Sequence, residues 1–434
     1  MVKRISKVNV ATVLLWGREV GAAAWDEKHS VGQFEYAPNY LRQGLAPAPL
    51  TMPLRTGVFS FPELNSKTFH GLPGLLADAL PDRYGNQLID LWLRRNGRSL
   101  NDFTPVERLC YLGTRGMGAL EFKPALTVPG KALPLEVSEL ATLAREILSA
   151  RSNLKVKLSA SKAEALNNII RVGTSAGGNR AKAVIAWNPE TGEVRSGQVA
   201  APSGFEAWIL KFDGVNDASL GDPQGFGRIE YAYHKMALAS GMTMSPCRLL
   251  EENGRAHFMT RRFDRDNANN KIHVQSLCAL THSDFNATGE YGYELVFDVI
   301  QKLNLGHDTL REMFRRMIFN VIARNQDDHT RNIAFLMNQK GVWRLSPAFD
   351  VIWSFNPTGK WTNRHQMTIN GKWDDFTRAD LLTVANQHSI KSASEIIDQV
   401  TKAVKEWPRY AEECGVPKKI LLTISKTHRL NLRK

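Results

Sequence analysis

Cysteine is scarce in this chain. Cys110, Cys247, Cys278 and Cys414 are the only four among 434 residues, far apart and without a CxxC spacing. That excludes a disulfide framework and a zinc-finger type of site, and it fits inert thiols in a reducing compartment. Long apolar runs are missing too. No stretch approaches the about 18 apolar residues that a spanning helix needs. The start, MVKRISKVNVATVLLWGREV, has one short apolar run and no small-residue cleavage pattern. The expectation is a cytoplasmic protein without membrane association. Repeats, low-complexity tracts, the Walker A sequence and GxGxxG are all absent. So are a zinc finger and a convincing helix-turn-helix, the elements that would read nucleic acid directly.

What is present is ordinary for a folded chain: 43% apolar and 23% charged residues. The length exceeds one hydrophobic core and predicts two or three domains. Net charge is +13. The excess is scattered over Arg94-Arg95, Arg261-Arg262, Arg315-Arg316 and the tail from Lys418-Lys419 to Arg433-Lys434. Such a surface attracts polyanions or acidic proteins at long range, and it leaves association with a DNA-bound or RNA-bound partner open.

The pattern divides the chain into 1–125, 126–263 and 264–434. In the first segment, Val8–Trp16 and Glu19–Trp25 read as strands joined at Gly17-Arg18, and Asp82–Arg95 has helical spacing. A proline-bearing linker at 126–135 follows, then a helix over Glu136–Ala150 and a capping box at Ser161–Glu164. Strands are predicted at Ala181–Trp187, Glu193–Gly197, Ala207–Phe212, Cys247–Glu251 and Ala256–Arg262, with a helix over Glu230–Ser240. Beyond 264 helices dominate (Tyr293–Leu303, Thr309–Asn325, Arg378–Ala385, Ala393–Trp407, Lys418–Arg429), and strands reappear only at Ile333–Met337 and Val342–Leu345.

The most informative stretch is Asn325-Gln326-Asp327-Asp328-His329-Thr330-Arg331-Asn332, followed by Asp350. An Asp, an Asn five positions on and a further Asp returned by a hairpin is the constellation of protein-type kinases. Asp327 is the candidate base for the acceptor hydroxyl. Asn332 and Asp350 supply oxygen ligands suited to Mg²⁺, which keeps its other positions for water and phosphate oxygens. His329 is placed to brace the loop. The stretch Gly173–Lys182 contains Ser175, Gly177 and Gly178; its glycines let backbone N–H groups approach a phosphate. Lys211 ends an apolar strand where it can meet the α- and β-phosphates of ATP, with Glu230 on the next helix as its partner.

These residues resemble the HipA family of serine/threonine kinases, the toxins of bacterial toxin–antitoxin modules. The similarity runs through Phe59–Pro62, Leu72–Asn86, Gly173–Lys182, Arg262-Phe263-Asp264-Arg265, Asp327–Asn332 and Leu345–Asp350. It implies an α+β, two-lobed, protein-kinase-like fold with an added amino-terminal β-rich subdomain and an all-helical carboxy-terminal lobe. It implies Asp327 as catalytic base, Asn332 and Asp350 on Mg²⁺, and a nucleotide-binding set of Lys211, Ser175, Gly177, Gly178, Lys182, Arg261, Phe263, His329 and Asn332. Ser175 falls where the family carries an autophosphorylated serine. Arg261 to Phe263 occupies the adenine hinge; its first position, often acidic in the family, is arginine here, so only backbone contacts transfer. The implied partners are a small DNA-binding HipB-like antitoxin, DNA through that antitoxin, and a protein substrate of the aminoacyl-tRNA synthetase class. Two rival readings are a catalytically silent co-repressor and a metal-dependent phosphohydrolase using Asp327, Asp328 and His329.

Overall fold

Two consecutive residues with positive φ, Trp16 at 51° and Gly17 at 76°, set the first hairpin. This is the conformation that matches the right-handed twist of paired strands in a two-residue turn. It joins β1 (Val10–Leu15) to β2 (Arg18–Asp26). The turn thus lies one residue before the Gly17-Arg18 expected from sequence, because Arg18 already pairs with Leu15. β3 (Val31–Tyr36), β4 (Val58–Phe59) and β5 (Leu120–Lys123) complete a sheet of order β4-β3-β2-β1-β5.

The protein is described by a computed structural model over residues 7–81, 83–99, 103–126, 134–149, 169–170, 172–173, 180–198, 203–215 and 225–433. The capping box at Ser161–Glu164 and the loop residues Ser175, Gly177 and Gly178 lie outside the described residues. The chain forms two compact units: residues 1–224, 250–275 and 337–341 in the first, 225–249, 276–336 and 342–434 in the second.

A second sheet comprises β6 (Lys182–Trp187), β7 (Val194–Ser196), β8 (Glu206–Lys211), β9 (Cys247–Glu252) and β10 (Arg255–Arg261), ordered β7-β6-β8-β10-β9, and all of it but the first three residues of β9 belongs to the first unit. Asn253 and Gly254, both at positive φ, make the β9–β10 turn. Helices Arg83–Arg95 and Val137–Ser149 bring Tyr84, Leu88, Leu140 and Ala144 into one buried cluster with Ala183, Ile185, Trp187, Trp208, Leu210 and Phe212. Side chains alternate along a strand, so this cluster fixes which face each residue takes. Lys182 and Lys211 are left on the opposite face.

Helices build the second unit: Phe226–Ala239, which precedes β11 (His273–Ser276), and after that strand Leu277–Thr281, Tyr293–Lys302, His307–Ile322, Arg378–Gln387, Ala393–Lys405, Trp407–Glu413 and Lys418–Ser425. The helix His307–Ile322 buries Leu310, Met313, Phe314, Met317, Ile318 and Val321 along one face, and Arg316, Phe319 and Ile322 beside it, so its C-terminal half is buried on more than one side. Each such apolar side chain contributes roughly 1.5–3 kcal/mol when fully buried. The helix ends three residues before the expected Asn325, because Arg324 turns left-handed at φ 56°. β12 (Ala334–Met337) and β13 (Trp343–Leu345) then form the predicted hairpin.

Candidate active site

The end of helix His307–Ile322 delivers the chain into the 327–332 loop, and hydrogen bonds fix that loop at both ends. Asn325 Nδ2 donates to Asn320 Oδ1 at 2.9 Å and Thr330 Oγ donates to the Ser283 carbonyl at 3.2 Å. Residues Thr330–Asn332 make one 3-10 turn. Within it, Asn332 Nδ2 donates to the Asp327 carbonyl at 2.8 Å. The amide nitrogen of Asn332 is thereby spent inside the loop, and Oδ1 is the atom left for a cation.

The Asp350 arm is laid beside this loop by bonds on either side. Four residues before it, the Ser346 N–H donates to Ala334 O at 2.9 Å and Ser346 O accepts from buried Arg316 at 2.8 Å. Four residues after it, Ser354 O accepts from the Gln326 N–H at 3.2 Å and the Ser354 N–H donates to Arg324 O at 3.0 Å. Asp350 itself has φ 52°. The left-handed region is several-fold enriched in Asp over other non-glycine residues, and a side chain held there is aimed by its surroundings. Asn332 and Asp350 are hard oxygen donors, the chemistry that suits Mg²⁺.

Asp327 and Asp328 point to different places. The Asp327 side chain is 41% exposed, and its Oδ1 accepts from the Trp361 indole N–H at 2.6 Å. His329 Nε2 lies 3.8 Å from the same oxygen, and its ring packs against Phe285 and Trp361 at 5.2 and 6.3 Å between centroids. Asp328 is buried. It accepts from the Tyr293 hydroxyl at 2.8 Å, from His365 Nδ1 at 2.7 Å and from the Gln366 N–H at 2.7 Å. Burial pushes the Asp328 carboxyl up, but the charge and hydrogen bond of His365, with the Gln366 and Tyr293 donors, outweigh it and hold the group below its ordinary range. Asp328 thus turns into the interior, away from Asp327 and His329, and among the described residues no three His, Cys, Asp or Glu side chains are grouped to hold a metal ion, which weighs against the phosphohydrolase reading.

In the first unit, Lys182 and Lys211 are direct cross-strand partners on β6 and β8. Opposed residues of an antiparallel pair share a face, with Cβ atoms about 4.5–5.5 Å apart. Lys182 is buried, and the Lys211 ammonium lies 5.6 Å from the Phe258 ring centroid. Like charges directly opposite one another destabilise a sheet unless other groups offset them. The stretch expected to serve as the adenine hinge begins at Arg261, the last residue of β10. The Arg261 guanidinium is 3.4 Å from Glu206, and the Arg262 N–H donates to Ala207 O at 2.9 Å. Phe263 is half-buried beside buried Asp264. Glu230 is buried on helix Phe226–Ala239 in the second unit.

Sequence reading missed Trp361, Tyr293, Arg316 and His365. Asp328 carried a signal, adjacency to Asp327, but nothing local said that the two carboxylates diverge. Trp361 stands in Asn356-Pro357-Thr358-Gly359-Lys360-Trp361, a stretch without periodicity. Among the described residues no helix is long and apolar enough to cross a membrane.

A family model described as the HipA-like C-terminal domain matches residues 174–407, and one described as the HipA N-terminal domain matches 11–123. "Putative kinase Y4mE" of Sinorhizobium fredii is 22% identical over 368 residues, covering 80% of this chain and 77% of that protein. Among solved structures, the Shewanella oneidensis HipA of a complex with HipB and operator DNA superposes with a TM-score of 0.66 at 15% identity, covering 96% of this chain and 94% of the other. That likeness concerns the fold, which is α+β and kinase-like of the HipA type. The C-terminal domain model alone spans more than half of the sequence, and the chain belongs to the HipA family.

Proposed function

We propose that this chain is an ATP-dependent serine/threonine protein kinase, the toxin of a module in which a small HipB-like antitoxin holds it. One observation carries the reading: an exposed Asp327 carboxylate on a loop closed by Asn332, with the Asp350 arm tied along that loop on both sides. Asp327 accepts the proton of the acceptor hydroxyl. Asn332 Oδ1 and the Asp350 carboxylate would hold Mg²⁺, whose part is to bridge phosphate oxygens and neutralise the developing charge. Lys182 and Lys211, neighbours on one sheet face, take the phosphates of ATP, and the backbone from Arg261 to Phe263 takes the adenine.

The finer parts of the reading rest on family membership. The substrate is a protein hydroxyl, of the aminoacyl-tRNA synthetase class, and the site of action is the cytoplasm. Ser175 is the self-phosphorylated residue. The Shewanella protein's complex with HipB and operator DNA supports a DNA-bound antitoxin as partner, and a net charge of +13 aids assembly near DNA.

The test is transfer from γ-labelled ATP to the full-length chain, with the labelled residue mapped by mass spectrometry. Asp327→Asn should lower transfer by a factor of about 10²–10⁴, the usual contribution of a general base, while the melting temperature stays within a few degrees. Wild-type transfer rates in that variant would overturn the assignment of the base.

A further inference from the structure

Trp361 belongs to no predicted element, yet it makes the only hydrogen bond that an Asp327 side-chain atom has among the described residues. Its indole N–H donates to Oδ1 at 2.6 Å. The other oxygen, Oδ2, makes none among the described residues, and the side chain is 41% exposed. The two oxygens of the carboxylate are therefore not equivalent. Oδ1 is held and Oδ2 is open.

The segment that presents Trp361 is itself fixed. Gln366 Nε2 donates to the Trp361 carbonyl at 2.5 Å and to the Gln326 carbonyl at 3.3 Å, one residue before Asp327. The Gln366 N–H donates to Asp328 Oδ1 at 2.7 Å. The Asn356 N–H donates to the Thr362 carbonyl at 3.1 Å, closing a loop that Gly359 tightens through its own bond to Asn356 O at 3.0 Å. Trp361 is thus tied back to the two residues flanking Asp327, so the indole is aimed by the same network that shapes the 327–332 loop. The His329 ring packs against both Phe285 and Trp361, with its Nε2 3.8 Å from Asp327 Oδ1.

We infer that Trp361 is a positioning residue for phosphoryl transfer: by holding Oδ1 it presents Oδ2 to the acceptor hydroxyl. This rests on the kinase reading above. In the step, the acceptor oxygen bonds to the γ-phosphorus and its proton passes to Asp327 Oδ2. The bond between the γ-phosphorus and the β–γ bridging oxygen breaks, and ADP leaves with that electron pair. Without the indole N–H the carboxylate rotates freely, and the productive orientation becomes one of several. Misorientation of a reacting group by about 1 Å is enough to lower a rate about 100-fold.

The experiment compares the full chain with Trp361→Phe and with benzothienylalanine incorporated at 361, a shape mimic of tryptophan that lacks the N–H. Transfer from γ-labelled ATP gives kcat and the KM for ATP, and melting reports the fold. The expected result is a kcat about 10- to 100-fold lower in both variants, with the KM for ATP and the melting temperature unchanged. A merely structural tryptophan would shift melting in Trp361→Phe and leave the shape mimic at wild-type activity, and that outcome overturns the inference. So does a rise in kcat, which would make the indole a block on the base. Asp327→Asn run alongside separates the two claims. If it is inactive while both Trp361 variants match wild type, the positioning role fails and the kinase reading stands. If it is fully active, the assignment of the base fails and the positioning role with it.

Discussion

Asp264 shows what a single residue does in this fold. Its buried carboxylate accepts from Arg262 Nε at 2.8 Å and Nη2 at 2.6 Å, from Arg265 Nη1 at 2.8 Å and from the Gly118 N–H at 2.8 Å. Burial alone would push this carboxyl up; the Arg262 and Arg265 charges, with the hydrogen bonds from Arg262 and the Gly118 N–H, hold it far below its ordinary range instead. The Arg262-Phe263-Asp264-Arg265 run was legible in sequence as a family signature, but its role was not. Only the fold brings the Gly118 N–H, 146 positions earlier, to the same oxygen. Asp264→Asn keeps the shape and removes the charge that faces buried Arg262 and part-buried Arg265. The expected loss at pH 7 is about 3–5 kcal/mol, read by urea denaturation. Because the folded-state pKa is depressed, the wild-type advantage is full above the unfolded carboxylate value, about 3.9, and is lost as pH falls through the folded-state value. The gap between variant and wild type should therefore narrow steadily below pH 4. A gap that stays constant from pH 7 to pH 3 would mean that the charge on Asp264 does not contribute.

At the scale of an element, the helix that leads into the 327–332 loop is held at its end by the last residues of the described chain. The Arg429 N–H donates to Ile322 O at 2.9 Å, and Arg324 Nε donates to Thr427 O at 2.9 Å. The Tyr233 hydroxyl gives its one proton to Ala323 O at 2.7 Å. His428 Nε2, 3.0 Å from the same hydroxyl, must then be the donor to it. Burial keeps that imidazole neutral, its pKa pushed down to about 3. The bonds from Arg429 and Tyr233 satisfy carbonyls of the kind every helix leaves open at its C-terminus. Apolar spacing over Lys418–Arg429 predicted one helix to the end of that run, whereas the helix stops at Ser425. The spacing was right about the helix but could not see that Thr427 to Arg429 are drawn off to cap another one. Removing residues 427–434 should destabilise by about 1 kcal/mol per lost hydrogen bond and depress transfer more than it depresses melting, since the freed end carries the Asp327 loop. The comparison of melting temperature with kcat in the truncated chain checks this. Equal activity at saturating ATP would show that the loop holds its shape without the tail.

Over the whole molecule, the candidate residues are divided between the compact units: Lys182, Lys211, Arg261 and Phe263 in the first, Glu230, Asp327, Asn332 and Asp350 in the second. Stretches such as 327–332 and 345–350 stand out in the sequence because each gathers its polar residues into a few adjacent positions, whereas most of 173–182 lies outside the described residues. The pairing of Lys182 with Lys211 was not legible there, because strand register is a property of the sheet. That pairing sharpens the consequence of modifying Ser175, which lies seven residues before Lys182. A phosphoserine carries about −1.5 to −2 charges at neutral pH. In the proposed reading the two lysines serve the phosphates of ATP, so a phosphate tethered a few residues away competes for the same positive field and repels the nucleotide. On the proposed reading, self-modification would limit the dose of active kinase. Ser175→Ala should deepen growth arrest when the chain is expressed without its antitoxin, and Ser175→Asp, with half the charge or a little more, should relieve it in part. The Ser175→Ala, Asp327→Asn double variant should cause no arrest, since the limit acts only on an active kinase. Colony counts after induction distinguish these cases. Arrest that persists in the double variant would mean that growth inhibition does not run through phosphoryl transfer at all.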